Sequence, residues 1–194
     1  MADITLSISL AITSPVTGGI SASSKTLNFS APDYYDNEPQ NTSTTIADIT
    51  MNGGVTAANV SMLALQNLSS TVGEDIYVLF YPKLDGGGGG DMIDGGSVAG
   101  ASVTAAPTAC TYYLISADGT SNGTSWKKGD IAMYLGSSGK YGQFSPQIAL
   151  LNPGRALLVP LAGSYNAYSG LLKCFSATGT PQLAKFAIGP SALP

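Results

Sequence analysis

The side chains that could do chemistry are few, and their spacing decides what each could do. Carboxylates cluster twice, at Asp33, Asp36 and Glu38 and again at Asp85, Asp91 and Asp94. Paired carboxylates run glycoside hydrolysis when rigid elements hold them a fixed distance apart. Both clusters sit in Gly- or Pro-bounded segments, which reads as solvated loop acids. Gly86, Gly87, Gly89, Asp91 and Ile93 satisfy the fixed positions of a calcium-binding glycine repeat. Calcium in that architecture is held between successive turns, and the chain has one copy, so no metal site is expected. Nucleophilic catalysis lacks a base, because the 194 residues contain no histidine. Neither a G-x-S-x-G elbow nor a phosphate-binding G-x-x-x-x-G-K-[ST] loop occurs. The chain reads as a non-enzyme without cofactor or metal.

The surrounding sequence predicts strands. Ile4, Leu6, Ile8 and Leu10 alternate with Thr5, Ser7 and Ser9, the period of a half-buried strand. A second short alternating run spans residues 25–30. Residues 31–41 (APDYYDNEPQN) read as a polar, proline-bounded loop, and 44–51 as a strand closed by Asn52-Gly53-Gly54. Residues 59–67 and 75–82 read as a central hairpin. The second of these is apolar on both faces, as in a strand between two layers. Residues 58–66 are the one stretch that also fits a short helix. The five glycines from Gly86 to Gly90 make residues 83–107 a flexible or contact-forming loop. Strands follow at 110–116 and 130–135, joined by a turn that contains Trp126. Residues 136–142 form another turn, and four closely spaced strands come next at 147–151, 155–161, 171–176 and 182–188. Many short strands between Gly/Pro/Ser/Asn turns indicate an all-β fold, a β-sandwich or jelly-roll-like barrel. The expected organisation is a single domain over residues 1–194, with an insertion at 83–143 carrying the Gly-rich loop and extra strands.

Composition narrows the partners. Charged residues are 10% of the chain and hydrophobic residues 44%, against about 25% charged in ordinary domains. Partners covering much of the surface would explain the deficit. The net charge is −4 and Lys127-Lys128 is the one adjacent basic pair, which argues against nucleic acid. No apolar run approaches a membrane span of about 20 residues, and the N-terminus has no basic n-region, so synthesis in a cytoplasm without a signal peptide is expected. Asn-x-Ser/Thr triplets at Asn28, Asn41, Asn59, Asn67 and Asn122 carry little weight without such a signal. Cys110 and Cys174 read as buried free thiols, and a bridge between them stays open.

Two blocks carry a resemblance. Residues 60–81 contain MLALQNLSS and DIYVLFY, and residues 144–188 contain the L-x-P-G-x-x-x-L-x-P-L pattern at Leu151, Pro153, Gly154, Leu158, Pro160 and Leu161. Together, over roughly a third of the chain, they resemble small β-rich virion proteins of tailed bacteriophages. In such proteins Asn67-Leu68 would start a turn between core strands, and Pro153-Gly154 would form a type II turn. The resemblance implies a virion structural protein, foremost a capsid decoration (cement) protein. It implies a homo-oligomer, with a trimer favoured, contacting the major capsid or other virion proteins. A tail, fibre or adaptor role, and a carbohydrate-binding module built on Tyr34-Tyr35, are the alternatives. Interface anchors are expected among the aromatics near loops, namely Tyr34, Tyr35, Trp126, Tyr141, Phe144, Tyr165 and Tyr168.

Overall fold

The computed structural model describes residues 4–8, 25–29, 34–50, 62–82, 93–103, 111–134, 141–160 and 172–188. Among them the chain forms strands throughout, with one 3₁₀ turn at Gly100–Ser102 and no α-helix. The fold is all-β. The strands are β1 (Ile4–Ile8), β2 (Lys25–Phe29), β3 (Tyr34–Asn41), β4 (Ala47–Asp48), β5 (Met62–Asn67), β6 (Ile76–Phe80), β7 (Ile93–Ala99) and β8 (Thr111–Ala117). They continue as β9 (Gly119–Ser121), β10 (Thr124–Trp126), β11 (Ile131–Tyr134), β12 (Tyr141–Phe144), β13 (Gln147–Leu151), β14 (Ala156–Pro160), β15 (Leu172–Ser176) and β16 (Gln182–Ile188).

Two antiparallel four-stranded sheets share the main core. Their orders are β14-β5-β16-β3 and β13-β6-β15-β4. Alternation builds the core: Leu63 and Leu65 of β5, Leu183 of β16, Ile76 and Val78 of β6, Leu172 and Cys174 of β15, and Leu151 of β13 form one buried cluster. Each strand contributes every second residue, as the pleat requires. Every pairing in these two sheets joins a strand from residues 34–80 to one from residues 147–188.

The other face of β6 meets a third sheet, of order β12-β11-β8-β7. Leu79 and Tyr81 pack there with Tyr112, Leu114 and Ile131. This explains why DIYVLFYP is apolar on both faces. The far side of the third sheet has its own small core of Val103, Ile115, Trp126 and Ala132. The third sheet and the β9–β10 hairpin both fall within residues 93–144.

Several expectations need correction. The segment containing Tyr34-Tyr35 is not a loop: residues 34–41 pair with β16 as an edge strand. The register slips opposite Glu38-Pro39, since proline gives no ladder N–H and is tolerated at edges and bulges. The expected strand at 44–51 is reduced to Ala47–Asp48. Residues 58–66 are not helical where described, because Met62–Asn67 is a strand. β5 and β6 do not form a hairpin with each other; the turn between them crosses from one sheet to the other. Residues 93–99, placed in the Gly-rich loop, form β7, a parallel partner of β8. Tyr141 opens a strand instead of lying in the turn expected at 136–142. The Gly86–Gly90 run and Cys110 lie outside the described residues. Cys174 is a buried free thiol.

Candidate functional site

β13 and β14 are joined by the turn Asn152-Pro153-Gly154-Arg155. Arg155 N–H donates to the Asn152 carbonyl at 3.0 Å, and Gly154 has φ +73°. Proline followed by a residue with positive φ is the type II geometry expected from the sequence. The turn does not close a hairpin. It is an arch that carries the chain from one sheet of the pair to the other.

Asn67 fastens the arch. Its Nδ2 donates to the Leu151 carbonyl at 2.9 Å and to the Glu74 carbonyl at 2.8 Å. Its Oδ1 accepts from Ser69 N–H at 3.0 Å. Its own backbone receives Gly154 N–H and donates to the Arg155 carbonyl, both at 3.0 Å. The side chain is fully buried and has partners on both polar atoms, as a buried amide must.

Stacked by this arch, β13 and β14 are the same-side edges of their sheets. Among the described residues neither has a second strand partner. Between them lies an apolar groove of ≈ 240 Å³ lined by Phe80, Gln147, Ile148, Ala149, Leu157, Leu158 and Val159. Ile148 is 54% exposed, Leu150 49% and Leu158 36%. Leu150 lies opposite Tyr77, and Tyr77 opposite Phe175, so the apolar surface continues across the sheet. The Tyr77 and Phe175 rings stack with centroids 4.8 Å apart, and Lys128 Nζ sits 4.1 Å above the Phe175 ring. No ionisable residue occurs in QIALL or ALLVP.

The opposite edge of the same sheet pair is treated differently. There Gln40 of β3 bridges to the next segment: its Nε2 donates to the Asp48 carbonyl at 2.8 Å and its Oε1 accepts from Thr50 N–H at 3.0 Å. Lys173 pairs with Asp48 at 2.6 Å. The buried Lys185 donates to Gln40 Oε1 at 3.3 Å, to Thr50 Oγ1 at 3.2 Å and to the Thr50 carbonyl. Burial lowers the Lys185 pKa. Charge and side-chain hydrogen bonds are the usual protection of sheet edges; β3 and β4 have it and β13 and β14 do not.

The residues expected to anchor contacts are scattered. Trp126 is 1% exposed and serves the core of the third sheet; its expected role as a surface anchor is corrected, because the strand alternation of β10 turns it inward. Phe144 is half-buried against the cluster of Leu79 and Tyr81. Tyr34 and Tyr35 lie in β3, opposite Ile188 and Ala187, and Tyr141 in β12, opposite Tyr134. Tyr165 and Tyr168 lie outside the described residues. Of the acid clusters, Asp94 accepts Gly96 N–H at 2.7 Å in a tight turn. Among the described residues no three His, Cys, Asp or Glu side chains come together.

Reading for chemistry overlooked Asp130. It is buried and accepts Lys127 N–H at 2.7 Å, Gln143 Nε2 at 2.7 Å and Ser145 Oγ at 2.6 Å. Three donors hold this carboxylate as a staple between the β10–β11 turn and β12. Ile148, Leu150 and Leu158 were overlooked too. The signal was present: IALL and ALLV are apolar at every position, which reads equally as a doubly covered strand or as an exposed apolar edge. No protein-family model, curated protein or solved structure matches the chain.

Proposed function

We propose that this chain is a structural protein of a tailed-bacteriophage virion, a capsid decoration protein built as a jelly-roll-like β-sandwich with an inserted lobe. The observation that carries the reading is the uncharged double edge of β13 and β14, with Ile148, Leu150 and Leu158 exposed around a groove. Contiguous exposed apolar surface marks a protein contact site. The low overall charge points the same way. The resemblance of the Asn67-Leu68 and Pro153-Gly154 segments supplies the class of assembly, and those residues form the arch that positions the edge.

The mechanism is passive. Such a protein buries surface on neighbouring shell subunits and so opposes the pressure of packaged DNA, which takes an interface of about 1,200 Å² or more. The test is the copy number in purified particles, measured by quantitative mass spectrometry. Hundreds of copies, with heads that rupture at lower temperature when the protein is stripped, are expected. A dozen copies or fewer assign it to the tail, fibre or adaptor, and absence from particles overturns the virion reading.

A further inference from the structure

We propose that the groove between β13 and β14 is filled by the β1–β2 hairpin of a second copy of this chain, so that each copy donates one hairpin and accepts another. This rests on reading the groove as a protein-contact site, and not on the identity of the particle.

The hairpin and the groove each leave something unfinished. In the antiparallel register of β1 and β2, Ile4 lies opposite Phe29 and Leu6 opposite Leu27. Residues at alternate positions share a face. The apolar positions of both strands therefore fall on one face, and Thr5, Ser7, Thr26 and Asn28 on the other. The two strands make a sheet by themselves. A two-stranded hairpin is marginal in water unless its apolar face is covered. The groove offers an apolar floor, and β13 and β14 offer unpaired backbone N–H and C=O groups. Strand addition at an open edge uses these two features together.

The length of the chain says which copy supplies the hairpin. β2 ends at Phe29 and β3 begins at Tyr34. Five Cα steps span at most about 17 Å. β3 is at the far edge of the sheet β14-β5-β16-β3. A strand added beyond β14 lies four spacings away from β3, about 19 Å along the straightest line, and further around the sheet surface. The hairpin therefore cannot reach its own groove. A neighbour's groove carries no such restriction. Donor and acceptor surfaces differ, so the contact is heterologous and closes into a ring when the rotation permits.

The experiment uses the full-length protein, followed by sedimentation. The wild type is expected to be oligomeric. Leu6→Asp in the hairpin and Leu158→Asp in the groove are each expected to weaken association by more than about tenfold, because each puts a charge into an apolar contact. Far-UV circular dichroism should retain the strand signal. Leu6 lies outside the shared core of the two sheets, so Leu6→Asp decides the matter even where Leu158→Asp misfolds. Mixing Leu6→Cys protein with Ile148→Cys protein should give a covalent pair mapped by peptide mass spectrometry to positions 6 and 148. A wild type that stays monomeric at about 100 µM, an oligomer indifferent to Leu6→Asp, or a 6–148 disulfide within one chain of the double variant overturns the inference. A disulfide formed solely between two Ile148→Cys positions overturns it as well, and indicates edge-to-edge pairing. A monomer still abundant on particles sinks the hairpin exchange and leaves the virion reading standing. An exchanged oligomer absent from particles does the reverse.

Discussion

The carboxamide of Asn67 donates a 2.9 Å hydrogen bond to the carbonyl of Leu151, tying the end of β5 to the end of β13 across 84 residues of sequence. Asn67 is fully buried and the same nitrogen also serves Glu74 O. Asn67→Ala strips the donor from two carbonyls and leaves a polar void. We expect a loss of about 3 kcal/mol, read as a fall of roughly 8 °C in melting temperature. A change under about 1 kcal/mol would show that the amide is not the fastener described above.

Two glycines separate strain from crowding. Gly154 has φ +73° and open space where a Cβ would be. Gly154→Ala should cost only the left-handed strain, about 1 kcal/mol. A Cβ on Gly95 would lie 2.4 Å from the Tyr113 ring, so Gly95→Ala must displace that ring and should cost more. Chemical denaturation of both variants gives the comparison. A Tyr113→Ala background should reduce the Gly95→Ala penalty and leave that of Gly154→Ala unchanged.

Alkaline pH should destabilise the fold through Tyr81. Its hydroxyl donates to the Gly129 carbonyl at 2.6 Å, and burial, followed by the charge of Asp130, raises its pKa. The unfolded chain releases this proton near pH 10 while the folded chain keeps it. Stability is therefore complete below pH 10 and declines as pH rises beyond it. Tyr112 acts in the same sense, raised by burial and by its hydrogen bond with Asp94. Tyr81→Phe should cost about 1 kcal/mol at neutral pH and make the decline between pH 10 and 12 shallower in urea titrations. An equally steep decline would remove Tyr81 from the account.

Cys174 should be chemically silent. Burial pushes its thiol up to about 11, so near pH 8 only about one thiol in a thousand is ionised. Native protein treated with iodoacetamide should leave Cys174 unmodified by peptide mass spectrometry, and denatured protein should show full modification. Rapid native labelling would mean that this part of the core opens readily.

The legibility of the sequence followed the covering of each strand. β13 and β16 were readable to the residue, since QIALL and QLAKFAI lie between clear turn signals. β3 was missed because its text, YYDNEPQN, is polar and contains proline; as an edge strand with a register slip it needs neither apolar alternation nor a complete ladder. β7 was missed because IDGGSVA carries two glycines. At Gly95 the reason for glycine is the close approach of Tyr113, a contact no local pattern announces. The arch was half readable. Pro153-Gly154 announced a turn, but that it links two sheets depends on Asn67, 84 residues before Leu151. The groove was invisible for a related reason, since an apolar strand reads alike whether or not a layer covers it.

The pairing of early strands with late ones has a consequence for biosynthesis. As the chain leaves the ribosome, β3 to β6 emerge without a single mate, and none arrives until Gln147 and beyond have been translated. The middle sheet, drawn from residues 93–144, is complete in the meantime. It can fold first, and its contact with Leu79 gives the waiting β6 a place to rest. Such non-local closure is slow and leaves greasy segments open to mispairing. Truncated nascent chains ending before Gln147 should therefore bind chaperones, and release from them should follow soon after Ile188 clears the exit tunnel.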